Sequence, residues 1–457
     1  MTLNLIKEQN YIGNLFEIQN QDNNSIWLHF DVFLGNRQNI VGFNTESILQ
    51  NETGLFRINL TSEQFSDFFN LNISKASNLL DNWFELKGNT TKVENSLESF
   101  YYPFEFSEDD QTQSIFFNKD NISIIGRRKK EDKEFLNKLN SLVDLRDLYD
   151  KNKTEIVLNE LRNSTKSIRD IPELNVVSFN VGQGNATGIF DKEFNPIIYF
   201  DLGGGAYWNK HTYRNTKLFP VNENPTIILS HWDFDHYESI RANPRHYMNC
   251  KILAPLQKTT PSIRKFAALF STNLYLIDKE LGKGKNFSFF KLFKCSGQKR
   301  NDSGLGILLD LKKDDNISEI LLPGDSQYFF IKQRKEVDAI CVTHHGGKLY
   351  NKRGFPSPKE KGNGYSVYSY GINNTYSHPK QDTIQEHINK GWGCDRFLKK
   401  YSLSTITHNV IYNNDINISA TFNASPLNTL GTFNSFHGIV YNRDLRIRII
   451  LSSIDND

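Results

Sequence analysis

Three textures of hydrophobic patterning follow one another along the chain. Residues 25–35, SIWLHFDVFLG, form a strand-like apolar and aromatic run closed by a glycine. Thr61-Ser62-Glu63-Gln64 has the Thr-x-x-Gln form of a capping box, which predicts a helix starting there and carrying Phe65, Phe68 and Phe69. Residues 1–125 thus read as an N-terminal α+β domain. Its single histidine, His29, sits inside an apolar run and reads as packed rather than catalytic. From Gly126 to Asp170 the chain becomes charged, with Leu136, Leu139, Leu142 and Leu145, then Leu158 and Leu161, at helical spacing. One or two amphipathic helices are predicted, forming a helical linker over 126–172.

Beyond Pro172 short β-rich runs alternate with glycine-rich turns. They are NVVSFNVGQGNATGIF, PIIYFDLGGG, PTIILSHWDFDH, GLGILLDL, EILLPGDS and VDAICVTHHGG, and they predict an α/β domain over 173–457. In several, a buried-type strand ends directly in a polar cluster, where α/β enzymes hold their chemistry.

Composition narrows the class. A chain of 457 residues predicts two domains, and 38% apolar with 13% aromatic residues supplies a sizeable interior, arguing against global disorder. Four cysteines (Cys250, Cys295, Cys341, Cys394), none closely paired, argue against a disulfide framework or a Cys-rich zinc module. The start, MTLNLIKEQN, lacks the layout of a signal peptide, and no run approaches the roughly 18 apolar residues of a membrane span. A soluble, cytoplasmic protein with no membrane partner is expected.

The net charge of +2 conceals an asymmetry. Residues 1–150 hold 14 Lys+Arg against 23 Asp+Glu, and residues 251–300 hold 11 against 2. Such stretches describe solvated faces as readily as binding faces, and they suggest different partners for the two parts. A protein partner or a role in substrate selection is the expectation for the acidic N-terminal domain.

The densest chemistry lies in Ser230-His231-Trp232-Asp233-Phe234-Asp235-His236, directly after the strand TIILS. Strand alternation lets 231, 233 and 235 converge while 236 turns away, so the motif offers two ligand sets to neighbouring metals. Imidazole with carboxylate suits Zn, Mn or Fe better than Ca. Asp325, after EILLP, has the chemistry to bridge two cations, and His344 or His345, after DAICVT, to complete the second.

This ordered series resembles the metallo-β-lactamase family, and most closely the soluble hydrolase domain of ComEC-type DNA-uptake proteins. The matching motifs are VGQG at 181–184, IIYFDLGGG with Asp201, His231-x-Asp233-x-Asp235-His236, Asn301-Asp302-Ser303, LLPGD ending at Asp325, His344-His345-Gly346, and Tyr370-Gly371…Asn374…His378-Pro379. The resemblance covers about 174–395 and implies an αββα sandwich with the N-terminal α+β domain added. It implies that Asp235, His236 and one of His344 and His345 hold one divalent metal, Zn or Mn. His231 and Asp233 would hold another, with Asp325 between. Asp201 would orient the ligand loop, and Asn301, Asp302 and Ser303 would stand behind the ligands where many relatives have a further histidine. His378 would face substrate or, equally, precede a helix that starts after Pro379. The sequence departs from the family at Asn180 and Asn185, where carboxylates are usual, and at Gly347.

Two metals about 3.5–4 Å apart present a bridging hydroxide for in-line attack, and a phosphodiester suits that chemistry. The expected function is a metal-dependent hydrolase, a DNA or RNA nuclease, with Asp233 and Asp235 at the catalytic centre. Lys283, Lys285, Lys299 and Arg300 are expected to contact phosphate, while the interleaved Tyr275, Phe287, Phe289, Phe290 and Phe293 read mostly as core. Two other readings stay open: a hydrolase of peptides, lactones or small phosphoesters, and a non-catalytic metal-binding interaction module.

Overall fold

A computed structural model describes residues 8–20, 24–92, 96–104, 112–126, 130–166, 174–179, 181–191, 193, 195–212, 218–222, 224–280, 284–313, 316–332, 336–360, 364–371, 373–392, 410–412, 437–441 and 447–451. Asn180, Lys283 and Cys394 lie outside these residues. The chain forms two compact units: residues 1–147 with 258–271, and residues 148–257 with 272–457. The helical stretch read as a linker is shared between them, Lys130–Leu142 falling in the first and Lys151–Lys166 in the second.

The first unit is built on six strands: β1 (Glu8–Asn20), β2 (Ser25–Leu34), β3 (Thr53–Thr61), β4 (Trp83–Asn89), β5 (Leu97–Pro103) and β6 (Gln113–Ile124). All neighbours pair antiparallel, and the sheet closes into a barrel in the order β1-β2-β3-β5-β6-β4. Closure removes exposed sheet edges. Alternation dictates the filling: Ile26, Leu28, Phe30 and Val32 on β2 and Phe56, Ile58 and Leu60 on β3 join one buried cluster. The helix Ser62–Phe69 starts at its capping box, with Gln64 N–H donating to Thr61 Oγ1 (3.2 Å) and Thr61 N–H to Gln64 Oε1 (2.9 Å). The odd-numbered residues of β2 leave His29 paired with Glu17 Oε2 at 2.7 Å and Asp31 fully buried.

What buries Asp31 comes from far along the chain. The helix Pro261–Leu269 belongs to this unit, and its N-terminal N–H groups need a cap that its own Thr260 does not provide. Asp31 provides it, accepting from Ser262 N–H (3.1 and 3.0 Å), Ser262 Oγ (2.6 Å) and the Thr260 hydroxyl.

The second unit contains two sheets. The first holds β7 (Asn175–Phe179), β8 (Ala186–Phe190), β9 (Pro196–Leu202), β10 (Thr226–Ile228), β11 (Ile252–Pro255) and β12 (Leu274–Ile277). The second holds β13 (Lys285–Asn286), β14 (Phe290–Lys294), β15 (Leu305–Lys313), β16 (Asn316–Leu322), β17 (Ala339–Cys341), β18 (Tyr365–Tyr368) and β19 (Val410–Tyr412). Strands β20 (His437–Tyr441) and β21 (Ile447–Leu451) complete the first, whose order is β12-β11-β10-β9-β8-β7-β20-β21.

Each sheet is antiparallel on one side and parallel on the other, the parallel runs being β9 to β12 and β16 to β19. The sheets share one core, in which Val176, Ile198, Phe200 and Ile228 meet Leu305, Ile307, Ile320 and Ala339. Tyr275, Phe287, Phe289 and Phe290 are part of that core, as their pattern implied. On the outer face of the second sheet, Leu308, Leu321 and Ile340 pack with Ile384 of the helix Gln381–Asn389. This is a layered α/β sandwich, and covered strands such as TII and AIC are apolar on both faces for that reason. Among the described residues no helix is long and apolar enough to cross a membrane. Described cysteines Cys250, Cys295 and Cys341 are free and buried.

Candidate metal centre

Every principal candidate ligand follows the C-terminal end of a parallel strand. Asp201 lies at the end of β9, residues 231–236 follow β10, Asp325 follows β16, and His344 and His345 follow β17. Strand alternation does not continue through the His231–His236 motif as expected, because β10 stops at Ile228 and Phe234–His236 form a short 3-10 turn. His236 therefore does not turn away: its ring lies 4.1 Å from that of His231, centroid to centroid. The intervening aromatics anchor the motif from behind. Trp232 Nε1–H donates to Pro255 O on β11 (2.8 Å), and Phe234 meets Tyr207 edge to face at 4.8 Å.

Asp201 is fully buried, and its carboxylate collects four donors. These are Ser230 N–H (2.6 Å), Ser230 Oγ (2.8 Å), His236 Nδ1 (2.7 Å) and Asn185 Nδ2 (3.0 Å). Asn185, noted from sequence only as a departure from a family carboxylate, thus serves as a hydrogen-bond donor to Asp201, where a second carboxylate would repel it. The glycines of VGQG and DLGGG acquire a role that sequence did not show. Asp235 O accepts from Asn185 N–H (3.1 Å) and Gly204 N–H (3.2 Å), and a Cβ on Gly203 would come within 1.7 Å of that oxygen.

The proton positions follow from these partners. His236 Nδ1–H is spent on Asp201, and His345 Nδ1–H on the Ser369 carbonyl at 2.7 Å. The Ser230 hydroxyl donates to Asp201, so His231 Nδ1–H donates to Ser230 Oγ at 3.0 Å. All three rings consequently turn Nε2 inward, buried and without a hydrogen-bond partner. Each nevertheless faces a carboxylate oxygen: His231 to Asp233 at 3.1 Å, His236 to Asp325 at 3.2 Å, His345 to Asp235 at 3.2 Å. An imidazole Nε2 this close to a carboxylate oxygen calls for a positive charge between the two, a proton or a metal ion.

Asp325 lies at the middle, its oxygens also 3.6 Å from His345 Nε2, 3.9 Å from His231 Nε2 and 3.9 Å from His344 Nε2. Burial works against its charge, yet His236, then His345 and His344, hold its carboxyl well below the usual range. Burial likewise opposes charge on His236, but Asp325 and Asp201 raise its affinity for a proton well above the ordinary value. A proton and a metal ion compete for the same lone pair, so a site that demands the one can take the other. Among the described residues two donor groups meet the need, His231–His236–Asp325 and Asp235–His236–His345, each with its ligand atoms within 4.8 Å of one another. Mixed imidazole and carboxylate donors fit a divalent transition metal.

Asp233 stands beside His231, as the resemblance implied, and has a second partner. One oxygen faces His231, and the other accepts from Arg300 Nη1 at 2.9 Å. Although burial opposes it, Arg300 and then His231 hold the Asp233 carboxyl ionised, well below the usual range. Arg300, expected to meet phosphate, is 15% exposed at its side chain and is engaged with Asp233 instead. Its backbone is fixed too, because Gln257 Nε2 donates to Arg300 O (2.6 Å) and to Ser303 Oγ (2.8 Å). Arg300→Ala is therefore expected to weaken divalent-metal binding on the His231 side by about 10–100-fold, read by chelator competition.

The remaining candidates are spread around this centre. Asp302 Oδ1 accepts Gln327 N–H (3.0 Å), bracing the loop that carries Asp325, and Asn301 opens the same 3-10 turn. His344 is 36% exposed at its side chain. Both His344 and His345 have left-handed backbones (φ 52° and 53°), as does Asp201 (φ 59°), conformations that cost on the order of 1 kcal/mol each in non-glycine residues. His378 is joined to them: its ring lies 5.3 Å from that of His344, stacks on that of His345 at 6.2 Å, and leaves Nδ1 buried without a partner. Lys299 is exposed and Lys285 half-buried.

No family model matches the chain, and no curated protein matches it. Solved structures with detectable likeness include MEM-A1, a subclass B3 metallo-β-lactamase from a soil metagenome library, at 13% identity over 40% of this chain and 67% of that one, TM-score 0.22. Another is the flavodiiron protein from Giardia intestinalis, at 11% identity over 34% of this chain and 36% of that one, TM-score 0.21. A third is a B3 metallo-β-lactamase with an active-site glutamic acid, at 10% identity over 58% of this chain and 88% of that one, TM-score 0.22. At TM-scores this low the likenesses do not carry a functional assignment.

Proposed function

We propose that the second unit is a metallo-β-lactamase-type, divalent-metal-dependent hydrolase that cleaves phosphodiesters in nucleic acid. The observation that carries the metal requirement is the convergence of three buried Nε2 atoms on Asp233, Asp235 and Asp325, with two sets of ligand atoms close together. His231, His236, Asp325, Asp235 and His345 would hold Zn or Mn, with Asp233 and His344 at the margin. Such ions supply Lewis-acid activation of water and of a phosphoryl oxygen.

The chain's own groups supply positioning. Asp201 and Ser369 O fix the imidazole tautomers, Arg300 fixes Asp233, and the 184–185 and 203–204 backbones seat Asp235. His378, beside His344 and His345, would face substrate. The nucleic-acid part of the reading rests on the ordered ComEC-like motif set and on the exposed Lys299, whose charge acts on Asp302.

The test is cleavage of single- and double-stranded DNA and RNA, and of bis(p-nitrophenyl) phosphate, with Zn or Mn. Asp235→Ala is expected to lower each rate at least about 100-fold, a scale typical of removing one stabilising group from an active site. Absence of metal-dependent cleavage of every phosphodiester would overturn the proposal. Cleavage of nucleic acid should also weaken steeply with salt, which hydrolysis of a neutral lactone or peptide would not.

A further inference from the structure

Two of the loops that leave the metal centre carry exposed aromatic side chains. Asp325 leads into Ser326–Lys332, where Phe329 is 39% exposed, and His345 leads into Gly346–Arg353, where Tyr350 is 77% exposed. Single exposed apolar side chains are ordinary, but Tyr350 is also held in place. Gln327 Oε1 accepts from Tyr350 N–H (3.0 Å) and Asn351 N–H (3.2 Å), while Gln327 N–H donates to Asp302 Oδ1 (3.0 Å). The Tyr350 backbone is thereby tied to a residue two positions from Asp325. Five residues from His345, its Cα is no more than ~18 Å from that ligand's.

The loop sequences themselves carry cations and no acid, although Glu386 of the neighbouring helix pairs with Lys352. Neither 326–335 nor 344–359 contains an aspartate or glutamate. Lys332, Lys348 and Arg353 are exposed, while Lys352 is engaged with Glu386. An exposed aromatic ring on an anchored backbone, with Lys348 Nζ 6.0 Å from its centroid and further cations nearby, is an arrangement on which unstacked bases and their phosphates bind. A paired, stacked base in a duplex does not offer its face to such a ring.

We propose that the 326–332 and 346–353 loops contact single-stranded nucleic acid beside the cleavage centre, with Tyr350 stacking on a base and Lys348 and Arg353 meeting flanking phosphates. This rests on the phosphodiesterase reading and names the strand state and the residues that select it. The test is fluorescence anisotropy of the full chain with a labelled single-stranded oligonucleotide in EDTA, alongside its blunt duplex. Tyr350→Ala is expected to weaken single-strand binding about tenfold and Tyr350→Trp to retain it. Lys348→Gln and Arg353→Gln should each reduce the salt slope by about 0.7.

Wild-type single-strand affinity retained by Tyr350→Ala, in a chain that cleaves phosphodiesters, overturns this inference and leaves the function standing. An equal loss on the duplex overturns the single-strand assignment. Failure of the wild type to cleave any phosphodiester sinks the function itself, a result separate from either.

Discussion

Asp201→Ala is expected to destabilise the second unit by about 3–5 kcal/mol and to weaken its metal affinity by about 10–100-fold. The carboxylate removed is fully buried and receives four donors, from Ser230, His236 and Asn185. Alanine leaves those donors in the interior with nothing to accept them, and each orphaned group costs about 1–3 kcal/mol. The second effect comes through His236, whose Nδ1–H would lose the partner that holds its Nε2 toward Asp325. Urea unfolding and chelator competition read the two effects separately. Unfolding unchanged within 1 kcal/mol would mean that Asp201 is not the keystone of this network. The Asp201→Asn variant refines the point, since an amide accepts through one oxygen only and must turn a donor toward Ser230 or His236.

A comparable loss, about 3–5 kcal/mol, is expected in the first unit from Asp31→Ala. There the buried carboxylate serves the helix Pro261–Leu269, accepting from the Ser262 backbone, the Ser262 hydroxyl and the Thr260 hydroxyl. Loss of a cap alone costs about 1 kcal/mol, and the larger figure reflects burial of all the groups left behind. Hydrogen exchange localises the effect: amides in 260–269 should lose protection first. Protection equal to wild type there would show that the helix holds its N-terminus without Asp31. For the same reason a single cut does not remove the N-terminal unit, because one of its helices is encoded beyond residue 257.

Local pattern made much of the fold legible. The capping box at Thr61, the apolar and aromatic run at 25–35 and the leucine spacing of 136–161 each became the element expected, because such signals depend on neighbours within a few residues. The metal-centre candidates were legible for a related reason: His231–His236, Asp325 and His344–His345 each follow a short apolar strand. Less legible was how those residues meet. Alternation suggested that His236 turns away, and the early end of β10 reversed that. Arg300 looked like a phosphate contact within a basic stretch, and only the fold brought it to Asp233.

By itself, then, the sequence determined which residue types stand at which strand ends and that three kinds of texture divide the chain. The tertiary structure alone decided that Asn185 and Ser230 serve Asp201, that Arg300 answers Asp233, and that Asp31 caps a helix more than two hundred residues away. The physical reason is reach. Periodicity and capping are properties of adjacent residues on one backbone, whereas a buried carboxylate is satisfied by whatever donors the closed chain brings to it, and nothing in its own neighbourhood names them.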